Sequence, residues 1–309
     1  MKGLVYKSTG SWYQIKDETG KLHQARIKGR FKIDGLTSTN PIAVGDYIEF
    51  DIEDIEEASV IIDKIQPRNN YITRQSPHNR NLQHIIASNL DQSLLMATLK
   101  TPKTSTGFLD RFLVASEAFH VPAILVFNKS DVYKENDLIK FEEIKGVYES
   151  LGYPVYLISV AEKKGLEEIL ALLKDKTTLL SGHSGVGKSS FINSLLPQAD
   201  LRTNEVSDWS GKGLHTTTFA EMYDLAFGGK IIDTPGLREF ALTTDISKEE
   251  LSHYFPEMRA LINDCRFNNC MHISEPECAV KKAVEEGRIH QERYYSYLNI
   301  LDSMDNKYS

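Results

Sequence analysis

Four groups of residues have the types and spacing that chemistry needs. The first is Gly182-His183-Ser184-Gly185-Val186-Gly187-Lys188-Ser189, a match to Gly-x-x-x-x-Gly-Lys-Ser/Thr, the loop that cradles nucleotide phosphates. Glycines let successive backbone N–H groups turn inward around phosphate oxygens, and the N-terminus of the following helix adds positive potential. Lys188 is expected on the β- and γ-phosphates, where charge develops during transfer, with the Ser189 hydroxyl on Mg²⁺. The second group is Asn128-Lys129-Ser130-Asp131, directly after the apolar run 123–127. At the C-terminal end of a strand, Asn-Lys-x-Asp reads guanine, because the Asp carboxylate accepts hydrogen bonds from the ring N1–H and the exocyclic amine. Adenine does not offer that pair, and an acid left unsatisfied is costly, so strong discrimination is expected. Ser159-Val160-Ala161 follows another strand-like run and could bracket the base with backbone contacts. Val160 stands where Ala is usual, and a plain strand-end turn fits these residues equally.

The third group comprises two stretches after the phosphate loop. His215-Thr216-Thr217-Thr218 enters a strand-like run, and one of its threonines, with Thr217 as the candidate, would close on Mg²⁺ and the γ-phosphate. Asp233-Thr234-Pro235-Gly236 ends another strand: Asp233 would hold Mg²⁺ through water, and the Gly236 N–H would meet the γ-phosphate. Leu237 comes next, where a water-orienting Gln is found in Ras-like proteins. An apolar side chain cannot position water, so slow intrinsic hydrolysis is expected, completed by a partner's group or by His215. His215 is a candidate by position only; a His packed under the loop fits as well. The fourth group is Cys265-x₄-Cys270-x-His272-x₅-Cys278, which holds all three cysteines of the chain. Three thiolates and one imidazole suit one tetrahedral Zn²⁺ with no open position, a structural and not a catalytic site.

The elements that must hold these groups follow from periodicity. Residues 1–66 alternate in short runs (12–15, 23–27, 47–50, 60–65) broken by Gly10, Gly20, Gly29, Gly35 and Gly45, as in a five-stranded OB-like barrel. Arg26, Lys28, Arg30, Phe31 and Lys32 give it a cationic stretch with an interleaved aromatic, suited to RNA backbone and exposed bases or to a solvated hairpin. Residues 46–63 carry eight acids and no Lys or Arg, so any phosphate-binding surface is one-sided. A linker is expected over 67–85. Residues 86–243 then alternate strand and helix patterns: strands at 94–99, 123–127, 155–158, 177–180, 219–227 and 230–232, helices at 108–119, 133–151, 165–173 and 190–196. Residues 244–309 read as helical (248–254, 258–262, 279–286, 291–301) around the Cys/His cluster, with Tyr294, Tyr295 and Tyr297 assigned to packing before RNA contact.

A length of 309 residues with 41% hydrophobic content allows two or three domains with ordinary cores. A net charge of −7 argues against a protein that coats nucleic acid on all sides, but permits a local basic face. No run approaches the ~18 apolar residues of a membrane span, and Met1-Lys2-Gly3 leads into no signal-peptide core. A cytoplasmic monomer that meets no membrane is expected.

The nucleotide motifs run in the order base reader, Ser-Val-Ala turn, phosphate loop, Thr loop, Asp233 loop, whereas GTP-binding proteins ordinarily begin with the phosphate loop. This is a circular permutation, tolerated because the pocket depends on which strand ends sit together and not on their order along the chain. The cut hangs the Cys/His domain directly from the Asp233 loop, so γ-phosphate-dependent movement of 233–240 is expected to reposition that domain. The permuted order, Gly213-Leu214-His215-Thr216-Thr217-Thr218, Asp233-Thr234-Pro235-Gly236 with Arg238-Glu239-Phe240, and the Cys/His tail together resemble the ribosome-small-subunit-dependent GTPase A family along the full chain. That resemblance implies an α/β, circularly permuted P-loop GTPase domain with an N-terminal OB barrel and a C-terminal helical zinc domain. It implies GTP and GDP as ligands with Mg²⁺, binding to the small ribosomal subunit and its rRNA, stimulation by that subunit, and a role in its late maturation. It carries Asn128, Lys129 and Asp131 to the guanine base, Gly185 to Ser190 to phosphates and Mg²⁺, and Cys265, Cys270, His272 and Cys278 to zinc. Leu214 departs from the basic residue often found there. Two other readings stay in view: an RNA-binding module that holds guanine nucleotide structurally, and a P-loop kinase or ATPase, disfavoured by Asn128 and Asp131.

Overall fold

The protein is described by a computed structural model covering residues 1–10, 12–27, 41–54, 59–75, 83–196, 220–234 and 246–305. Five strands build the N-terminal unit: β1 (Lys2–Ser8), β2 (Tyr13–Asp17), β3 (Leu22–Ile27), β4 (Tyr47–Asp54) and β5 (Ser59–Ile65). Alternation sends Val5, Tyr13, Ile15, Ala25, Ile48, Phe50, Val60 and Ile62 inward to one core. β1 pairs antiparallel with both β2 and β4, and β3 pairs parallel with β5, so the sheet closes into an OB-like barrel. Two expectations about its surface change. Arg26 is not a free cation, because its guanidinium is paired with Glu53; Lys28, Arg30, Phe31 and Lys32 lie outside the described residues. Asp46, counted above among surface acids, is fully buried, where it accepts hydrogen bonds from Arg68 at 2.6 Å and from the Ser88 hydroxyl at 2.6 Å.

The expected linker contains structure. β6 (Tyr71–Gln75) and β7 (Gln83–Ser88) pair antiparallel, and Ile72, Ile86 and Ala87 are buried against Val44 and Leu90. Arg68 and Pro67 suggest a break in β pattern, but the alternation that resumes at Tyr71 is enough to bury one face.

The central sheet comprises β8 (Gln92–Ala97), β9 (Ala123–Phe127), β10 (Val155–Leu157), β11 (Thr177–Ser181), β12 (Glu221–Asp224) and β13 (Lys230–Asp233). Its order is β10-β9-β8-β11-β13-β12, parallel except for β12. Both faces are covered, so the strands are near-continuous apolar runs. Leu95, Leu125, Phe127 and Leu179 face α1 (Thr106–Ala118) and α2 (Glu135–Ser150). Their neighbours Leu94, Met96, Val126 and Leu180 face α3 (Leu166–Leu173) and α4 (Lys188–Leu195). The barrel adds to the far edge of this sheet, where Lys7 of β1 pairs with Glu221 of β12. Lys7–Glu221 at 2.9 Å, Lys16–Asp224 at 2.6 Å and the Tyr6 hydroxyl on Asp224 at 2.7 Å hold the junction.

The C-terminal unit is built from α5 (Pro256–Arg259), α6 (Ala279–Glu285) and α7 (Gln291–Asp305) around Phe255, Met258, Val280, Ala283, Tyr297 and Ile300. The helix expected over 248–254 is a turn followed by a 3-10 segment at Leu251–Tyr254, because Pro256 drives Phe255 to extended backbone and prevents propagation. This unit docks on α1, and Val114 of α1 belongs to its core. Arg293 of α7, 2% exposed, donates to Asp110 of α1 at 2.6 Å and to Glu257 of α5 at 2.7 Å, and stacks 4.6 Å over Phe255. The Tyr148 hydroxyl of α2 donates to the same Asp110 oxygen at 2.7 Å.

Candidate nucleotide site and metal cluster

The phosphate loop joins β11 to α4, with Gly182, Gly185 and Gly187 all at positive φ. Two of these are dictated by close approach as well: a Cβ on Gly182 would strike the Met96 carbonyl, and one on Gly187 the Asn128 amide. Lys188 is the first residue of α4, and its ammonium folds back to the carbonyls of Gly182 at 2.6 Å and His183 at 3.0 Å. Burial lowers its pKa, and the neighbouring Asp233 carboxylate opposes that shift. The His183 ring lies 3.7 Å, centroid to centroid, from Phe108 of α1, and burial together with the Lys188 charge holds its imidazole below the ordinary value. Ser184 is exposed, Val186 is buried, and Ser189 and Ser190 are half-buried at the start of α4.

The base-reader loop leaves the next strand but one. Asn128 is buried, and its side chain spans two other loops: its amide donates to the Val186 carbonyl at 2.9 Å, and its oxygen accepts from the Val160 N–H at 3.0 Å. One residue therefore fastens the phosphate loop and the Ser159-Val160-Ala161 turn to the end of β9. Lys129 adopts left-handed backbone, and its ammonium reaches the Thr101 carbonyl at 2.7 Å. Ser130 opens a short 3-10 turn, and Asp131 is exposed, its carboxylate accepting from the Ser159 hydroxyl at 2.5 Å. The carboxylate is thus aimed while one side stays open to a ligand.

Asp233 ends β13, one strand over from the phosphate loop. It is 8% exposed, and its Oδ1 has no hydrogen-bond partner among the described residues. Burial raises its pKa, and the Lys188 ammonium partly offsets this. A buried carboxylate oxygen left over beside a phosphate loop, with the Ser189 hydroxyl at the adjacent helix start, is a hard-oxygen donor set that suits Mg²⁺. His215, Thr216, Thr217, Thr218, Gly236 and Leu237 lie outside the described residues.

In the C-terminal unit the ligand atoms of Cys265, Cys270, His272 and Cys278 all lie within 4.8 Å of one another. His272 Nδ1 is 3.3 Å from Cys278 Sγ and 3.7 Å from Cys265 Sγ, and the two sulfurs are 4.0 Å apart. A tetrahedral ion with ordinary zinc–sulfur and zinc–nitrogen bonds has ligand edges of roughly 3.6–3.8 Å, so the cluster fits one such ion. Burial pushes the Cys270 thiol up to about 12 and raises Cys278 as well. Only a bound cation makes thiolates favourable in such a place. The Tyr294 and Tyr297 hydroxyls donate to the carbonyls of His272 at 2.6 Å and Met271 at 2.8 Å, so these tyrosines buttress the ligand loop, while Tyr295 is exposed.

Residue pattern alone does not point to Phe108, Thr101, Arg293 or Tyr133. The pattern starts a helix at Tyr133, but the residue is extended backbone ahead of α2. Its only outward sign is an aromatic beside a polar run.

A parallel sheet that presents a phosphate loop after β11, a guanine-type loop after β9 and an acid at the end of β13 defines a P-loop GTPase, here with its strands in permuted order. The chain belongs to the RsgA GTPase family: residues 65–243 match the RsgA GTPase domain and residues 2–60 the RsgA N-terminal domain. Its β6–β7 hairpin falls inside the GTPase match. It is 48% identical over 309 residues to the small ribosomal subunit biogenesis GTPase RsgA of Christiangramia forsetii, covering 100% of this chain and 98% of that one. It is 51% identical over 305 residues to the protein of the same name from Cytophaga hutchinsonii, covering 99% of each. Among solved structures, it is similar to YjeQ from Thermotoga maritima (TM-score 0.76, 34% identity, 98% of this chain and 97% of that one). It is also similar to YloQ, described as a circularly permuted GTPase (TM-score 0.73, 31% identity, 99% and 95%).

Proposed function

We propose that this GTPase hydrolyses GTP while bound to the small ribosomal subunit, and that it acts in the biogenesis of that subunit. The observation that carries the nucleotide half is the Asn128 side chain, which joins the base-reader loop, the phosphate loop and the 159–161 turn into one pocket. The ribosomal half rests on relatives about half identical over the full chain and named for small-subunit biogenesis. In this assignment Asp131 accepts from guanine, held by Ser159, and Lys188 meets the β- and γ-phosphates. Ser189 and Asp233 hold Mg²⁺, which would shield the phosphate charge. Thr217 and Gly236 close on the γ-phosphate, and His215 is the candidate for orienting water. Cys265, Cys270, His272 and Cys278 hold one zinc ion that staples the C-terminal unit. Residues 1–66 form the RNA-facing barrel, 67–243 the GTPase unit with its hairpin, and 244–309 the zinc unit, which moves when the segment after Asp233 responds to GTP. The protein works as a cytoplasmic monomer; no described helix is long and apolar enough to cross a membrane.

Leu237 in place of a water-positioning Gln supports slow turnover by the isolated protein. GTP hydrolysis measured with and without purified small subunits tests the proposal. Stimulation of at least ~10-fold at saturating subunit is expected, a small fraction of what a supplied catalytic group can contribute. A rate unchanged by subunits would favour a module that holds guanine nucleotide for structural purposes.

A further inference from the structure

Every polar group of Asn128 has a partner, and one of those partners is a side chain that no nucleotide motif includes. The side chain is committed to Val186 and Val160, and the backbone N–H donates to the Ala97 carbonyl at the end of β8, 2.8 Å away. The remaining group, the Asn128 carbonyl, accepts from the Tyr133 hydroxyl at 2.6 Å. That hydroxyl accepts in turn from the Leu99 N–H at 2.8 Å. Tyr133 also closes the 3-10 turn that carries Asp131, its backbone N–H donating to the Ser130 carbonyl at 3.2 Å. Tyr133 therefore grips the base-reader loop twice, its hydroxyl at Asn128 and its N–H at Ser130 just before Asp131, and its hydroxyl ties the loop to the segment after β8. Lys129 makes a parallel tie to the same loop at Thr101.

We infer that Tyr133 is a positioning residue for guanine recognition, which fixes the loop so that the Asp131 carboxylate meets N1–H and the exocyclic amine together. This rests on the guanine assignment above and adds a residue to it. The hydroxyl of this half-buried side chain both donates and accepts, and burial raises its pKa to about 12, so it remains the donor to Asn128 throughout the neutral range. Removing the hydroxyl leaves the Asn128 carbonyl and the Leu99 N–H without their partner, and the turn carrying Asp131 is then held at one end only. The effect is confined to base recognition, because the phosphate loop keeps its own tie to Asn128.

The test is Tyr133→Phe in the full chain, with GDP, GTP and inosine triphosphate affinities measured by calorimetry. Inosine lacks the exocyclic amine, so the ratio of GTP to ITP affinity reports how well Asp131 is aimed, and general loss of stability does not move that ratio. The expected result is a Kd for GDP and GTP raised about 5- to 10-fold, a smaller rise for ITP, and a kcat within about twofold of the original. Unchanged GTP affinity with an unchanged GTP-to-ITP ratio overturns the inference and leaves the guanine assignment standing. An original protein that shows no preference for GTP over ITP overturns both. Should the variant fail to fold, hydrogen exchange on the original chain decides: the Leu99 amide slows when GDP binds if the hydroxyl is part of the closed pocket, and unchanged exchange counts against it.

Discussion

In the proposed assignment, Asp131 selects the base. Its carboxylate has a fixed second partner in Ser159, so the orientation is set before any ligand arrives, and ordering cost on binding is small. Replacing it by Asn turns an acceptor pair into one acceptor and one donor, which suits xanthine and not guanine. Asp131→Asn is predicted to weaken GTP binding by at least ~10²-fold and to make xanthosine triphosphate the better ligand, read by competition calorimetry. The nucleotide motifs stand out in the chain because the proposed chemistry would dictate their residue types, a carboxylate for guanine and a lysine for phosphate, and two of the glycines fall where Met96 and Asn128 crowd the backbone. Tyr133 and Phe108 do not, since a tyrosine or phenylalanine in a helical pattern satisfies core packing equally well. Their roles exist only once β8, β9 and the phosphate loop stand side by side.

Among the elements, α1 touches both the phosphate loop and the C-terminal unit. Phe108 at its start lies against His183 of the phosphate loop, and Asp110 and Val114 along its length meet the C-terminal unit. Arg293 neutralises two buried carboxylates, and its loss leaves both without a cation. Arg293→Met is predicted to cost about 3–5 kcal/mol in denaturant unfolding, the range for breaking a buried ion pair from one side. Asp110→Ala, which leaves Arg293 its Glu257 partner, is predicted to cost less. An equal or smaller loss for Arg293→Met would show that the pair is not what docks the unit.

The Cys/His cluster makes a second demand on this unit, whose core includes two of the ligands themselves, Cys270 and Cys278. Stripping metal with a chelator is predicted to release about one zinc per chain and melt residues 246–305, seen as lost amide protection. Protection in β8, β9 and β11 is predicted to survive. Strands and the Cys/His spacing were readable because period and ligand count are local properties. The hairpin at 71–88 and the broken helix near Pro256 are not legible in the pattern, because Pro67 resembles the start of a linker although pairing resumes at Tyr71, and the helical period of 248–254 runs up to a Pro that halts it.

For the whole molecule, the permutation changes which units adjoin which loops. The barrel pairs with β12, the strand that follows the Thr loop, through Lys7, Lys16 and Tyr6. The C-terminal unit follows the Asp233 loop along the chain and lies against α1. Along the chain, one candidate γ-phosphate-sensing loop therefore leads into the strand that receives the barrel and the other precedes the C-terminal unit, an order that suits a protein whose nucleotide state is to be reported to a large partner. Motif order alone made the permutation visible, but the sheet edge that receives the barrel and the helix that receives the C-terminal unit depend on tertiary packing. All of this presupposes that loops in rearranged order still close one guanine-selective pocket. Calorimetry of the full chain with Mg²⁺ and either GTP or ATP, using non-hydrolysable analogues, tests that most directly. GTP is predicted to bind at least ~10²-fold more tightly than ATP, and equal affinities, or binding of neither, would contradict the account.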